Sequence, residues 1–145
     1  MTTPFSIRDF LAATGPDAPS PAERALLLAV AEGNLCRLGD ARPSPDDPAA
    51  PRIRAALLAH LITGGCEAAP VTPAGVRLVG ALIHGPLVLN FCTARGETDL
   101  RACHFTDTVS LRRAQLMQLV LSGSQLPGLQ AEGIAVQTLV KFAGH

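Results

Sequence analysis

The sequence has no tryptophan and no tyrosine, and aromatic residues make up only 3% of it. A globular core normally takes much of its buried area from rings, so this chain must fill its interior with Leu, Ile, Val and Ala. Such side chains suit a narrow, layered interior better than a wide sandwich. A charge surplus is also missing: 12 Lys and Arg face 12 Asp and Glu, for a formal net charge of +0. Nucleic-acid binders gain affinity from counterion release and carry a basic excess, whereas a mimic of a nucleic-acid duplex needs a strong acidic one. Neither class is indicated. No apolar run approaches the ~20 residues that cross a bilayer as a helix. Arg8 and Asp9 interrupt the short apolar stretch at the N-terminus, which therefore does not read as a signal peptide. The four cysteines, Cys36, Cys66, Cys92 and Cys103, form no C-x-x-C pair. With no secretory signal beside them, they are expected as reduced thiols in a cytoplasmic protein.

What is present argues for a folded chain. It is 48% hydrophobic and 17% charged, the reverse of a disordered composition. Its 145 residues suffice for one domain, or for one domain with a small cap. Two regimes divide it. Residues 1–66 read as a helical N-terminal cap with a Pro-rich linker, and residues 67–145 as repeated short strands.

The clearest helix starts at Ser20-Pro21-Ala22-Glu23. Serine can accept from the N3 amide while the glutamate reaches back, and proline at N1 loses no hydrogen bond. The helix runs through Leu26, Leu27 and Val30 and stops near Gly33. The prolines of Arg42-Pro43-Ser44-Pro45-Asp46-Asp47-Pro48 forbid regular structure. A second helix is expected over Pro51 to Thr63, with Ile53, Leu57, Leu58, Leu61 and Ile62 on one face and Gly64-Gly65 ending it. A third candidate lies at Ser6 to Ala13 behind a Ser6/Asp9 cap.

From Gly75 on, helical spacing gives way to a period of five: Leu111, Leu116, Leu121, Leu126, Ala131 and Val136. Two residues ahead of each stand Val109, Ala114, Leu119, Ser124, Leu129 and Ile134, all small or apolar. The same spacing appears upstream in Val76/Leu78, Ala81/Ile83, Thr98/Leu100 and Cys103/Phe105. The steps from Ile83 to Leu89 and from Phe105 to Leu111 are six residues long, which implies an inserted residue in each, and Arg95 to Glu97 breaks the period. A period of five is neither the strand's two nor the helix's 3.6, so it marks a repeat.

The stretch Gly75 to Leu89, and the run Leu116 to Val136 with its Leu126-Pro127-Gly128-Leu129 corner, resemble the bacterial pentapeptide-repeat-like proteins. The helix ending in Leu57 to Gly65 is similar to the lead-in of one subgroup, often labelled membrane-associated oxidoreductases. The resemblance covers roughly residues 20–141. It implies a mainly β fold, a short right-handed quadrilateral β-helix of about three coils stacked as parallel strands ~4.8 Å apart. Two or three α-helices would cap its N-terminal end. The i and i−2 side chains would point inward, making Leu111, Leu116, Leu121, Leu126 and Val136 the core ladder.

No residue group stands out as a reaction centre, and no cofactor or metal is expected. Cys92, Cys103 and His104 are the nearest approach to a metal cluster, but zinc sites use convergent ligands at short spacings. His60 and His84 have no nucleophile or carboxylate placed beside them by sequence, and Ser110, Ser122 and Ser124 lack the G-x-S-x-G elbow. Gly75 to Gly85 lacks the G-x-G-x-x-G fingerprint and the following helix of a dinucleotide site. Arg95, Arg101, Arg112 and Arg113 are offset by Glu97, Asp99 and Asp107, which reads as a solvated mixed face. The last apolar run, Leu139-Val140-Lys141-Phe142-Ala143, is a candidate interface through Leu139, Val140 and Phe142.

The expected role is therefore a non-catalytic protein-interaction or scaffold module, binding a protein partner or itself through that end. The resemblance also implies two alternatives: a topoisomerase-directed duplex mimic, which the charge balance disfavours, and an oxidoreductase, which rests on the subgroup's label alone.

Overall fold

The computed structural model describes residues 18–39, 43–44, 46–47, 50–63, 65–66, 69–70, 75–94, 96–121 and 123–140, with backbone alone for 65–66, 69–70 and 136–140. The helix candidate at Ser6 to Ala13 and the interface candidate Phe142 lie outside the described residues.

Helix α1, Pro21–Glu32, is the one the capping signature indicates. The Ser20 hydroxyl accepts from the Glu23 amide at 3.1 Å, and the Ser20 amide donates to Glu23 Oε1 at 2.8 Å. Gly33 closes the helix in the left-handed conformation, φ 75°. Glu23 does more than cap. Its carboxylate is buried, and Oε2 accepts from the Arg54 amide at 3.1 Å and lies 3.4 Å from Arg54 Nε. One side chain thus ties the start of α1 to a segment 31 residues away.

That segment departs from expectation. The second helix, α2, covers only Ala55–Ile62, because Arg52–Arg54 is extended. With Cys36–Arg37 as β1, Arg52–Arg54 is β2, and its Ile53 pairs with Ile83 of β6, Leu82–His84. Ladder pairing with a distant strand outweighs the helical pattern that Ile53 shares with the leucines. Leu57, Leu58, Leu61 and Ile62 are buried, as a one-faced helix requires.

A short antiparallel pair follows, β3 (Gly65–Cys66) with β4 (Ala69–Pro70). The remaining strands are β5 (Gly75–Val79), then β6, β7 (Leu87–Val88), β8 (Glu97–Arg101), β9 (His104–Phe105), β10 (Val109–Ser110), β11 (Gln115–Val120), β12 (Leu129–Gln130) and β13 (Ala135–Val140). They form three parallel sheets, ordered β1-β5-β8-β11-β13, β7-β10-β12 and β2-β6-β9. The register follows the irregular spacing of the sequence. Leu78 pairs with Leu100, Ile83 with Phe105 and Leu87 with Val109, each 22 residues on. Thr98 pairs with Leu119, 21 on, and Leu116 with Val136, 20 on. The six-residue step after Ile83 and the break at Arg95 to Glu97 fall in the first interval. The step after Phe105 falls in the second, and the third has no insertion.

The expected mainly β, quadrilateral β-helix with a separate helical cap is corrected by this arrangement: the protein is an α/β fold of three small parallel sheets and two helices among the described residues. There are two physical reasons. The segments between sheets at Phe91, Arg113 and Gly133 are turns with φ of 61°, 55° and 71°, and a left-handed residue does not continue a ladder. The N-terminal part also supplies strands as well as helices, since β1 pairs with β5 and β2 with β6 across the expected boundary at residue 66. One core therefore includes Leu26 and Val30 of α1, the α2 face, and the inward residues of the sheets.

Candidate functional site

Burial falls towards the ends of the parallel sheets at β12 and β13. Leu111, Leu116 and Leu121 are 2%, 4% and 3% exposed, and Ala114 and Leu119 are buried with them. Further along the chain Leu126, Ala131 and Ile134 are only half-buried, and Leu129, opposite the buried Val109, is 40% exposed. β12 and β13 are the terminal strands of their sheets among the described residues. A hollow of about 560 Å³ opens beside them, lined by Leu116, the exposed Met117, Ile134 and Ala135. Val136, Leu139 and Val140 lie in β13, with Leu139 opposite Leu119 and Val140 opposite Val120. The terminal layer therefore joins apolar side chains to a sheet edge, the combination that invites pairing.

Two polar side chains near the core, Ser124 and Asn90, are occupied structurally, whereas the buried Thr98 hydroxyl finds no hydrogen-bond partner among the described residues. Ser124 is fully buried; its hydroxyl donates to the Leu100 carbonyl at 2.7 Å and accepts from the Cys103 amide at 3.0 Å. Asn90 Oδ1 accepts from the Ser110 hydroxyl at 2.6 Å and the Arg112 amide at 3.0 Å. Each joins backbone or side chains one round apart, a role that sequence spacing could not assign. Of the arginines expected on one mixed face, Arg112 pairs with Glu132 at 3.1 Å and Arg101 with Asp99 at 2.8 Å, while Arg95 lies outside the described residues. His84 is exposed, His60 half-buried near the end of α2, and His104 lies in β9. Among the described residues no three His, Cys, Asp or Glu side chains are grouped as metal ligands require.

Family models, curated proteins and solved structures yield no significant match to this chain. Among the described residues no helix is long and apolar enough to cross a membrane.

Two cysteines carry a pH dependence. Burial pushes the Cys36 thiol from its ordinary 9.0 up to about 11, and the Cys103 thiol from 9.0 up to about 12. Both remain protonated in the folded protein where the unfolded chain would ionise them. Above the unfolded value of 9.0 the native state holds more protons, so stability falls as pH rises towards the folded values. With no tyrosine and a single lysine, Lys141, few other groups titrate in this range. We expect urea unfolding to lose about 1 kcal/mol or more per pH unit above about pH 9. The double variant Cys36→Ala/Cys103→Ala should flatten that slope.

Proposed function

We propose that this protein is a non-catalytic protein-interaction module that associates with a second copy of itself through the layer of β12 and β13. The observation that supports this reading is the exposure of one aligned position at the terminal strand alone: Leu87 is 1% and Val109 2% exposed, whereas Leu129 is 40% exposed. A sheet edge pairs with a copy of itself through backbone groups, without needing a complementary sequence. A net charge of +0 leaves no general repulsion between copies.

Light scattering over a range of concentrations tests it. A dimer that dissociates on dilution is expected. Leu129→Asp, at a position exposed enough to leave the fold intact, should weaken association by about tenfold or more. Phe142→Asp is expected to act in the same direction. A monomer at every concentration, or an unchanged dimer in both variants, would remove the reading.

A further inference from the structure

The three parallel sheets thin along a common line. In the first, β8 pairs with β5 along its whole length, Glu97 to Arg101, but among the described residues it pairs with β11 only through Glu97, Thr98 and Asp99. The second sheet ends at β9, beyond which there is an isolated bridge between His104 and Gln125. The third crosses the line in the short pairing of Val109 with Leu129 and Ser110 with Gln130. On one side lie β11, β12 and β13. On the other lie β5 to β10, with β1, β2 and both helices packed against them.

Two buried hydroxyls on this line act in opposite directions. Thr98, 1% exposed and paired with Val76 on one side and Leu119 on the other, has an unpartnered hydroxyl among the described residues. A covered hydroxyl without a partner carries its desolvation cost, and parting β8 from β11 returns it to water. Ser124 does the reverse. Its hydroxyl donates to the Leu100 carbonyl and accepts from the Cys103 amide, so it fastens the line where the second sheet has run out. The side beyond the line also gives up less by leaving. Leu116, Leu119 and Leu121 are buried there, but Leu126, Ala131 and Ile134 are half-buried and Leu129 is exposed. Regions with little buried apolar surface open at a lower free energy than the whole molecule.

We propose that β11, β12 and β13 open and close as one unit along this line, with Ser124 as the clasp, while the helices and β5 to β10 stay folded. Opening uncovers the buried Leu100, Cys103 and Phe105 without unfolding the protein. The line runs along the opposite edges of β11 and β12 from the proposed interface and does not depend on self-association.

Two neighbouring amides in β9 test it, because they donate in opposite directions. His104 donates to the Ala81 carbonyl at 2.9 Å, away from the line, and Phe105 donates to the Gln125 carbonyl at 2.9 Å, across it. Hydrogen exchange of the intact chain, read by NMR at urea concentrations below the unfolding transition, separates them. After correction for intrinsic rates, Phe105 should exchange at least about tenfold faster than His104 and with a smaller dependence on urea. Val109 and Leu111, whose amides donate to Gly128 and Gln130, should follow Phe105. Ser124→Ala should speed exchange at Phe105 by about tenfold, and Thr98→Val should slow it severalfold. Ile53→Val, in β2 on the far side, should speed His104 severalfold and leave Phe105 unchanged, since Ile53 stays packed in the opened form. Equal free energies of exchange at His104 and Phe105 in the parent would overturn the proposal. So would a Phe105 that responds to Ile53→Val as His104 does, or one that is unmoved by Ser124→Ala.

Discussion

Phe105→Ala is expected to lower the free energy of unfolding by about 3–5 kcal/mol, a large share of the stability of a domain this size. Phe105 sits in β9 opposite Ile83, is 2% exposed, and is the largest of the fully buried side chains among the described residues. Removing it leaves a cavity between layers that are held at the spacing of parallel strands, so collapse into the space is restricted. Urea titration should show a lower midpoint with little change in slope. Phe91→Ala is the control: Phe91 is 76% exposed, and its loss should stay within about 0.5 kcal/mol. Similar effects at the two positions would show that Phe105 does not carry the core.

A second large effect is expected from Gly80→Ala. Gly80 follows β5 with φ 80°, and a Cβ there would stand 2.6 Å from the Gly39 carbonyl oxygen and 2.7 Å from the Gly39 nitrogen. Both are backbone atoms, so no rotamer change relieves the contact. The nearest escape is for the end of β1 to lift from β5, which would break the Leu38 amide to Val79 carbonyl bond, now 2.8 Å. Left-handed strain and backbone overlap together should cost about 3 kcal/mol or more. Gly85→Ala separates the two terms, since its φ is 92° but the nearest atom to a new Cβ is 4.0 Å away. It should cost only the strain, about 1–2 kcal/mol. Equal losses at Gly80 and Gly85 would rule out the close approach to Gly39 as a cause.

The parts that were legible beforehand are those whose cause is local. Ser20, Pro21, Glu23 and Gly33 specify α1 because a helix end is satisfied by residues within one turn. Leu111, Leu116 and Leu121, five residues apart, are all buried, whereas Leu126 at the same spacing is only half-buried. Even the uneven register was written in the steps after Ile83 and Phe105. Leu139 and Val140 of the candidate interface fall in β13, a terminal strand of its sheet among the described residues, whereas Leu129, an inward position by spacing, is 40% exposed.

Other features were decided by contacts that no window of sequence contains. Arg52 to Arg54 carry a helical pattern, yet they extend because Ile53 meets Ile83 and Glu23 binds the Arg54 amide. The α/β character follows from β1 and β2 joining the same sheets as the repeat, a choice between packing partners. Arg37, Arg77 and Arg101 look like isolated surface charges along the chain and become one group only through strand register. The sequence by itself thus determined the first helix and the uneven step lengths that the strand register follows, because each arises from neighbours within a few residues. Which strands lie side by side, and so where the charges gather and where the core stays open, was decided by tertiary structure, because that depends on residues brought together from tens of positions away.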